Sequence, residues 1–482
     1  MNKLSRVTMV AFATVALATV AAATVSVARA GSQPNVVVML ADDLGWGAVG
    51  YHSDWTETPN VDRLVGEGIE LDRFYVAPMC TPTRAGLMTG RYPIRFGLAR
   101  AVIPPQRNFG LPVQERTIAD ALGEAGYKHR GIFGKWHLGH HDMKWHPLSR
   151  GFTHFEGHYN GAIDYFLLER DGQRDWHINH TPVAKQGYAT DLIAAAASDF
   201  IRESAADDAP YFCYVPFNAP HSPFQAKPDD IARYAKNGKA DHEATLKAMI
   251  WSMDEGVGQI LRAIEKSGEA DNTQVWFMSD NGGVGQFKAN NRPLHGSKLT
   301  TFEGGVRVAA CVRWPAKWPG GRKLENTMGY IDVFPTVLAS VGANAGSDAD
   351  RKLDGTDLCG LLEGTVADFP ERDWYSYHGQ SGAERETIAI KTSQWKLVVI
   401  GPDVSQSEMT DKHEIHLYRM PDDLLERANL ADLHPDVVTA LFAKLQAYRS
   451  LQPTDSVPTF GVGKKGFKPW KDWDIRGRTS SD

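Results

Sequence analysis

The most constraining stretch is Asn35-Val36-Val37-Val38-Met39-Leu40, an unbroken apolar run rich in β-branched residues. Its length and composition predict a fully buried strand. The run breaks off into Ala41-Asp42-Asp43-Leu44-Gly45-Trp46-Gly47. In open α/β sheets, ligands bind outside the carboxyl ends of strands. Two adjacent carboxylates there repel one another unless a cation holds them. A solvated Asp-Asp turn is the plain alternative. A second predicted strand, residues 273–278, ends in Ser279-Asp280-Asn281-Gly282-Gly283. Asp280 and Asn281 add a carboxylate and an amide oxygen to Asp42 and Asp43. Four hard oxygens from two strand ends suit Ca²⁺ or Mg²⁺ rather than zinc. Asp-Asn-Gly-Gly also fits a simple hairpin turn, so the residues alone leave the pairing open.

The strongest chemical signal is Met79-Cys80-Thr81-Pro82-Thr83-Arg84-Ala85-Gly86-Leu87-Met88-Thr89-Gly90-Arg91. It reads as a turn entering a short helix, with Thr81 as N-cap and Pro82 at the first helical position. Cys80 then sits just outside a helix N-terminus, where unpaired N–H groups favour negative charge. Arg84, one turn on, can point back toward the sulfur. A thiol so placed is expected to have a lowered pKa. A buried structural cysteine fits the same residues, and both readings stand.

Further strands are predicted at 69–76, 129–133 and 211–216, and helices at 116–126, 189–204, 243–267, 328–341 and 435–452. After residue 133 comes Gly134-Lys135-Trp136-His137-Leu138-Gly139. In extended geometry Lys135 and His137 point to one side and Trp136 to the other. Residues 140–180 are rich in His, Trp, Tyr, Phe and Asp without a clear period, the texture of a functional irregular segment. His221 lies in Ala219-Pro220-His221-Ser222-Pro223, a loop that the prolines hold rigid. Residues 387–390 and 395–400 read as a hairpin, with a further short strand at 416–418.

A net charge of −6 without single-sign runs leaves no footprint for nucleic acid. Four cysteines, Cys80, Cys213, Cys311 and Cys359, are too few for a disulfide framework. Lys3 and Arg6 precede an apolar Ala/Val/Thr stretch closing at Ala28-Arg29-Ala30. This reads as a signal peptide over 1–30, cleaved rather than retained, hence an exported chain, periplasmic or secreted, with no stable membrane partner.

Cys80-Thr81-Pro82-Thr83-Arg84 with Ala85-Gly86-Leu87-Met88-Thr89-Gly90-Arg91 resembles the signature of the type I sulfatases, and Gly134 to Gly139 resembles their second signature. The Asp42-Asp43 and Asp280-Asn281 ends, the Pro-His-x-Pro segment at His221 and Lys298 follow in the family's order. Residues 102–105, 157–166 and 291–294 resemble the branch of N-acetylgalactosamine-4-sulfatases and arylsulfatases. The resemblance implies an alkaline-phosphatase-like α/β fold. It would have a large mixed, mostly parallel sheet flanked by helices over 34–365, and a small C-terminal α+β domain with an antiparallel sheet over 366–475. It implies that a formylglycine-generating enzyme converts Cys80 to formylglycine. It also implies that Asp42, Asp43, Asp280, Asn281 and residue 80 hold one divalent cation, Ca²⁺ ahead of Mg²⁺. Arg84 and Lys135 would steady the hydrated aldehyde. His221 would protonate the leaving oxygen with help from Lys298, and His137 would take the proton that releases sulfate. The implied substrate is a sulfated small molecule or saccharide. A phosphate or phosphonate ester hydrolase of the same superfamily is the rival.

Overall fold

The computed structural model describes residues 33–477, apart from 208, 237, 240, 345–350, 367, 368, 406 and 407. The expected leader, residues 1–30, lies outside the described residues. Five parallel strands form the middle of a ten-stranded sheet: β1 (Asn35–Ala41), β2 (His129–Lys135), β3 (His154–His158), β4 (Tyr211–Pro216) and β5 (Thr273–Ser279). Their spatial order is β5-β1-β4-β2-β3. Antiparallel strands extend the sheet, including Ala310–Arg313 beside β5.

The apolar run explains why β1 is central. Side chains alternate across a strand. Val36, Val38 and Leu40 enter one hydrophobic core, and Val37, Met39 and Ala41 enter another on the opposite face. A strand apolar at every position is stable only with both faces covered. The first core receives α1 (Cys80–Thr89), and the second receives α2 (Ala189–Ala205) and α3 (His242–Lys266). The Asp241 side chain caps α3 by accepting from the Ala244 N–H.

The register fixes where the functional loops emerge. Leu40 lies opposite Met278 and Ala41 opposite Ser279. The Asp280 N–H donates to the Ala41 carbonyl at 3.0 Å, so the two acidic loops leave the sheet side by side.

Residues 374–419 form a four-stranded antiparallel sheet: β6 (Trp374–His378), β7 (Glu386–Lys391), β8 (Trp395–Gly401) and β9 (Glu414–Arg419). Helix α4 (Pro435–Arg449) packs Val438, Leu441, Phe442 and Leu445 into the core that also receives α1. Among the described residues no helix is long and apolar enough to cross a membrane.

Several expected elements differ. The strand expected over 69–76 is two, Ile69–Leu71 and Phe74–Tyr75, in different sheets. The break falls at Asp72, whose carboxylate and carbonyl are both bound by the Arg307 guanidinium. The helix expected over 328–341 begins only at Val333, because Met328–Gly329 pairs as a strand with Phe74–Tyr75. The helix expected over 116–126 is Ile118–Glu124, started by a capping box between Thr117 and Asp120. Strand β3 lies in the segment expected to be irregular.

Candidate active site

Cys80 is the first residue of α1, and the N-cap is Met79 in extended conformation. This corrects the expected cap by two residues. The Thr81 hydroxyl is used elsewhere: it donates to the His137 carbonyl and accepts from the Ile103 N–H. The expected acidification of the thiol is also reversed. Cys80 is only 3% exposed, and burial pushes its pKa up, outweighing the lowering by Lys135 and Lys298. In the metal-free protein burial therefore favours the thiol over the thiolate.

The acidic loops meet beside Cys80. Ligand-type atoms of Asp42, Cys80 and Asp280 lie within 4.8 Å of one another, as do those of Asp42, Asp43 and His221. Asp43 has φ +68°, a left-handed conformation that Asp tolerates better than most side chains. Asp42 and Asp43 each keep one oxygen ungripped, whereas Asp280 is held on both, its Oδ1 accepting from the Asp43 N–H at 3.3 Å. Arg84, fully buried, donates from Nε and Nη2 to Asp280 Oδ2 at 3.1 and 2.8 Å, and from Nη1 to the Lys135 carbonyl. Its hydrogen bonds thus go to a carboxylate and a carbonyl rather than to the sulfur. Lys135 Nζ donates to Asp42 Oδ2. Lys298 Nζ lies 2.6 Å from Asp43 Oδ1, which also accepts from Asn281 Nδ2 at 2.7 Å.

What these grips leave over is informative. Among the described residues, Asp42 Oδ1, Asp43 Oδ2 and Asn281 Oδ1 are buried and have no hydrogen-bond partner. An unsatisfied buried acceptor costs about 1–3 kcal/mol, more when charged. Three hard oxygens in that state fit a divalent cation of the Ca²⁺ or Mg²⁺ type.

Electrostatics divide the site. Burial pushes Asp280 up, with Asp42 adding to the rise; Arg84 and Lys135 oppose it, and the result is about 6. Burial also acts to raise Asp43, but Lys298 and His221 hold it well below the usual carboxylate range. Burial alone would lower Lys298, yet Asp43 and the neighbouring groups raise it above an ordinary lysine. Burial, then Lys135 and Arg84, hold His137 well below the ordinary imidazole value. Burial and Lys298 bring His221 to about 3 against the opposing pull of Asp43. Both imidazoles are neutral at neutral pH.

Strand β2 ends at Lys135, and His137 follows at φ +56°, so the extended geometry expected across 135–137 is not kept. His137 Nε2 lies 3.1 Å from the Ile103 carbonyl, which makes Nε2 the protonated nitrogen; Nδ1 is buried without a partner among the described residues. Gly161 backs the ring, since a Cβ there would fall 2.5 Å from His137 Cε1. His221 Nδ1 lies 2.6 Å from the Ser222 carbonyl, so its Nε2 lone pair faces Asp43, 3.7 Å from Oδ2.

Cys80, His137, His221 and Lys298 line one cavity of about 260 Å³. Ile103, Pro104 and Pro105 form an apolar wall. The sequence gives no signal for three other lining residues, Arg170, Gln380 and Phe460. They come from distant parts of the chain and carry no motif.

A sequence profile described as Sulfatase matches residues 34–343. The chain is 34% identical over 395 residues to N-acetylgalactosamine-6-sulfatase of Rattus norvegicus, spanning 77% of this chain and 72% of that protein. It is 32% identical over 489 residues to the Mus musculus protein of the same name, spanning 92% and 91%. Among solved structures, Ps i-CgsB in complex with k-i-k-neocarrahexaose superposes with a TM-score of 0.80 at 28% identity, covering 90% of this chain and 96% of that one.

Proposed function

The chain belongs to the sulfatase family and is a sulfuric ester hydrolase, and from that premise we propose how its site works. A formylglycine-generating enzyme oxidises Cys80 to formylglycine, and Asp42, Asp43, Asp280 and Asn281 hold one divalent cation, Ca²⁺ ahead of Mg²⁺. The hydrated aldehyde supplies a nucleophilic hydroxyl, and the cation supplies Lewis acidity and neutralises sulfate charge. The observation that carries this reading is the set of three buried oxygens, on Asp42, Asp43 and Asn281, without a hydrogen-bond partner among the described residues.

The other residues act on that core. Arg84, Lys135 and Lys298 each bind one oxygen of Asp280, Asp42 and Asp43. Asp42 Oδ1 and Asp43 Oδ2 are thereby left over to hold a cation, the orienting part that outer partners play around metal ligands, while Asp280 Oδ1 also accepts from the Asp43 N–H. His137 is neutral with its proton on Nε2, so Nδ1 is free to take a proton from a hydroxyl at position 80. His221 and Lys298 attend the leaving oxygen. His221 is neutral before substrate binds, and the adjacent Lys298 ammonium carries the proton that this pair delivers to the departing alcohol.

The substrate we propose is a sulfated sugar, in keeping with the names of the N-acetylgalactosamine-6-sulfatases. The leader over 1–30 directs export to the periplasm or beyond. Turnover of an aryl sulfate against the matching aryl phosphate tests the activity, and mass spectrometry of the peptide holding Cys80 tests the modification. Preference for sulfate together with a peptide lighter than the thiol form supports the reading. Preference for phosphate, or an unmodified thiol in fully active enzyme, overturns it.

A further inference from the structure

The cavity has a buried floor and an exposed mouth, and the two ends differ in chemistry. Cys80 and His137, each 3% exposed, lie at the floor. Arg170, with its side chain 32% exposed, and Phe460, 37% exposed, reach the solvent edge. A cavity of about 260 Å³ lies just below the usual range for ligand pockets, about 300–1,000 Å³. It suits one sulfated sugar ring, and a second ring must lie against the mouth.

The mouth is built. The Phe460 N–H donates to the Gln380 carbonyl, and Gln106 Nε2 donates to the Phe460 carbonyl at 3.0 Å. On either side, buried Arg107 donates from Nη2 to the carbonyls of Thr459 and Val462. The same C-terminal region holds Arg170, whose carbonyl accepts from Trp473 Nε1 at 3.0 Å. The Arg170 guanidinium is not spent internally. Among the described residues its one ion pair is with its sequence neighbour Asp171, from the buried Nε at 3.4 Å and without a hydrogen bond. The other lysine or arginine lining the cavity, Lys298, is already paired with Asp43.

Resting on the sulfatase reading, we propose that Arg170, Phe460 and Gln380 form a second saccharide subsite that selects an anionic sugar next to the sulfated one. The guanidinium takes a carboxylate or a second sulfate through charge-assisted hydrogen bonds. The phenyl ring covers the apolar face of that sugar. The Gln380 carbonyl supports Phe460, and its Oε1 meets the Val102 N–H at 3.4 Å, leaving the amide NH₂ to donate to a sugar hydroxyl.

The test uses the full-length matured enzyme and four substrates. They are an aryl sulfate, a monosulfated disaccharide with a neutral second sugar, its uronic-acid counterpart, and its counterpart sulfated on the second sugar. Wild type should favour at least one acidic disaccharide over the neutral one by about tenfold or more in kcat/KM. Arg170→Ala should abolish that preference through KM, and Arg170→Lys should restore part of it. The two acidic substrates tell carboxylate from sulfate recognition. Calorimetric binding of the same disaccharides to Cys80→Ala, with and without Arg170→Ala, reads the subsite without turnover. No preference in wild type, or a preference that survives Arg170→Ala in both kinetics and binding, overturns the subsite. Absence of turnover on all four substrates counts against the catalytic reading alone, and the binding arm still decides the subsite.

Discussion

Two clusters of acids and cations can be set side by side. One is the active site, with Asp42, Asp43 and Asp280 against Arg84, Lys135 and Lys298. The other joins the large sheet to the small one, with Asp72, Glu303 and Glu426 against Arg307, Lys323 and Lys396. Their formal charges balance equally. In the second cluster every carboxylate oxygen has a cation or a hydrogen-bond donor within 2.9 Å, although Glu426 Oε1 meets Lys396 without hydrogen-bond geometry. Lys396 bridges Glu303 Oε1 and Glu426 Oε1 at 2.8 and 2.7 Å; Tyr75 Oη donates to Glu303 Oε2, and the Glu303 N–H donates to Glu426 Oε2. Arg307 and Lys323 take the two oxygens of Asp72. In the active site Asp42 Oδ1, Asp43 Oδ2 and Asn281 Oδ1 are left over. Charge balance therefore does not identify a metal site; three hard oxygens left over from neighbouring acidic loops do.

The largest expected effect is on the catalytic side. Cys80→Ala should lower kcat by about 10⁶-fold, the scale of losing a hydrolase nucleophile, with an unchanged unfolding midpoint. Retained turnover would break the account. The structural cluster should answer in the opposite way. Lys396→Met leaves Glu303 and Glu426 buried without their cation, which should cost about 3–5 kcal/mol in denaturant unfolding. The kcat/KM of the folded fraction should stay near wild type, and a large kinetic loss would erase the distinction between the clusters.

Smaller perturbations sharpen it. Gly161→Ala puts a methyl group against the His137 ring and should lower kcat by about 10²-fold, the cost of misplacing a catalytic group by about 1 Å. Wild-type kcat would show that the ring can yield. The smallest effect is on pH dependence. Asp280 has its folded pKa raised to about 6, so below that pH it is protonated in the metal-free protein and cannot serve as a ligand. Metal affinity should be level above pH 6 and fall by about tenfold per pH unit below it, as titration calorimetry would read.

Much of this was legible in the sequence where a physical pattern is local. Strands β1 and β4 are continuous apolar runs, and their ends fall where such runs stop. The two acidic loops were visible as pieces, but their meeting depends on the register that sets Ala41 beside Ser279, which no local pattern encodes. Strand β3, His-Phe-Glu-Gly-His, lacks the β-branched residues that mark a strand. The cap of α1 falls at Met79 rather than Thr81, and the Thr81 hydroxyl is drawn to His137 and Ile103, partners distant in sequence. Arg170, Gln380 and Phe460 were silent for the same reason: only the folded chain brings them to one cavity.

The most direct measurement is the metal content of purified enzyme, by plasma mass spectrometry, for wild type and for Asn281→Ala, read beside aryl sulfate turnover. The account predicts about one divalent cation per active wild-type chain, and loss of both the ion and turnover in the variant. A wild-type enzyme that is fully active while free of divalent metal would contradict it.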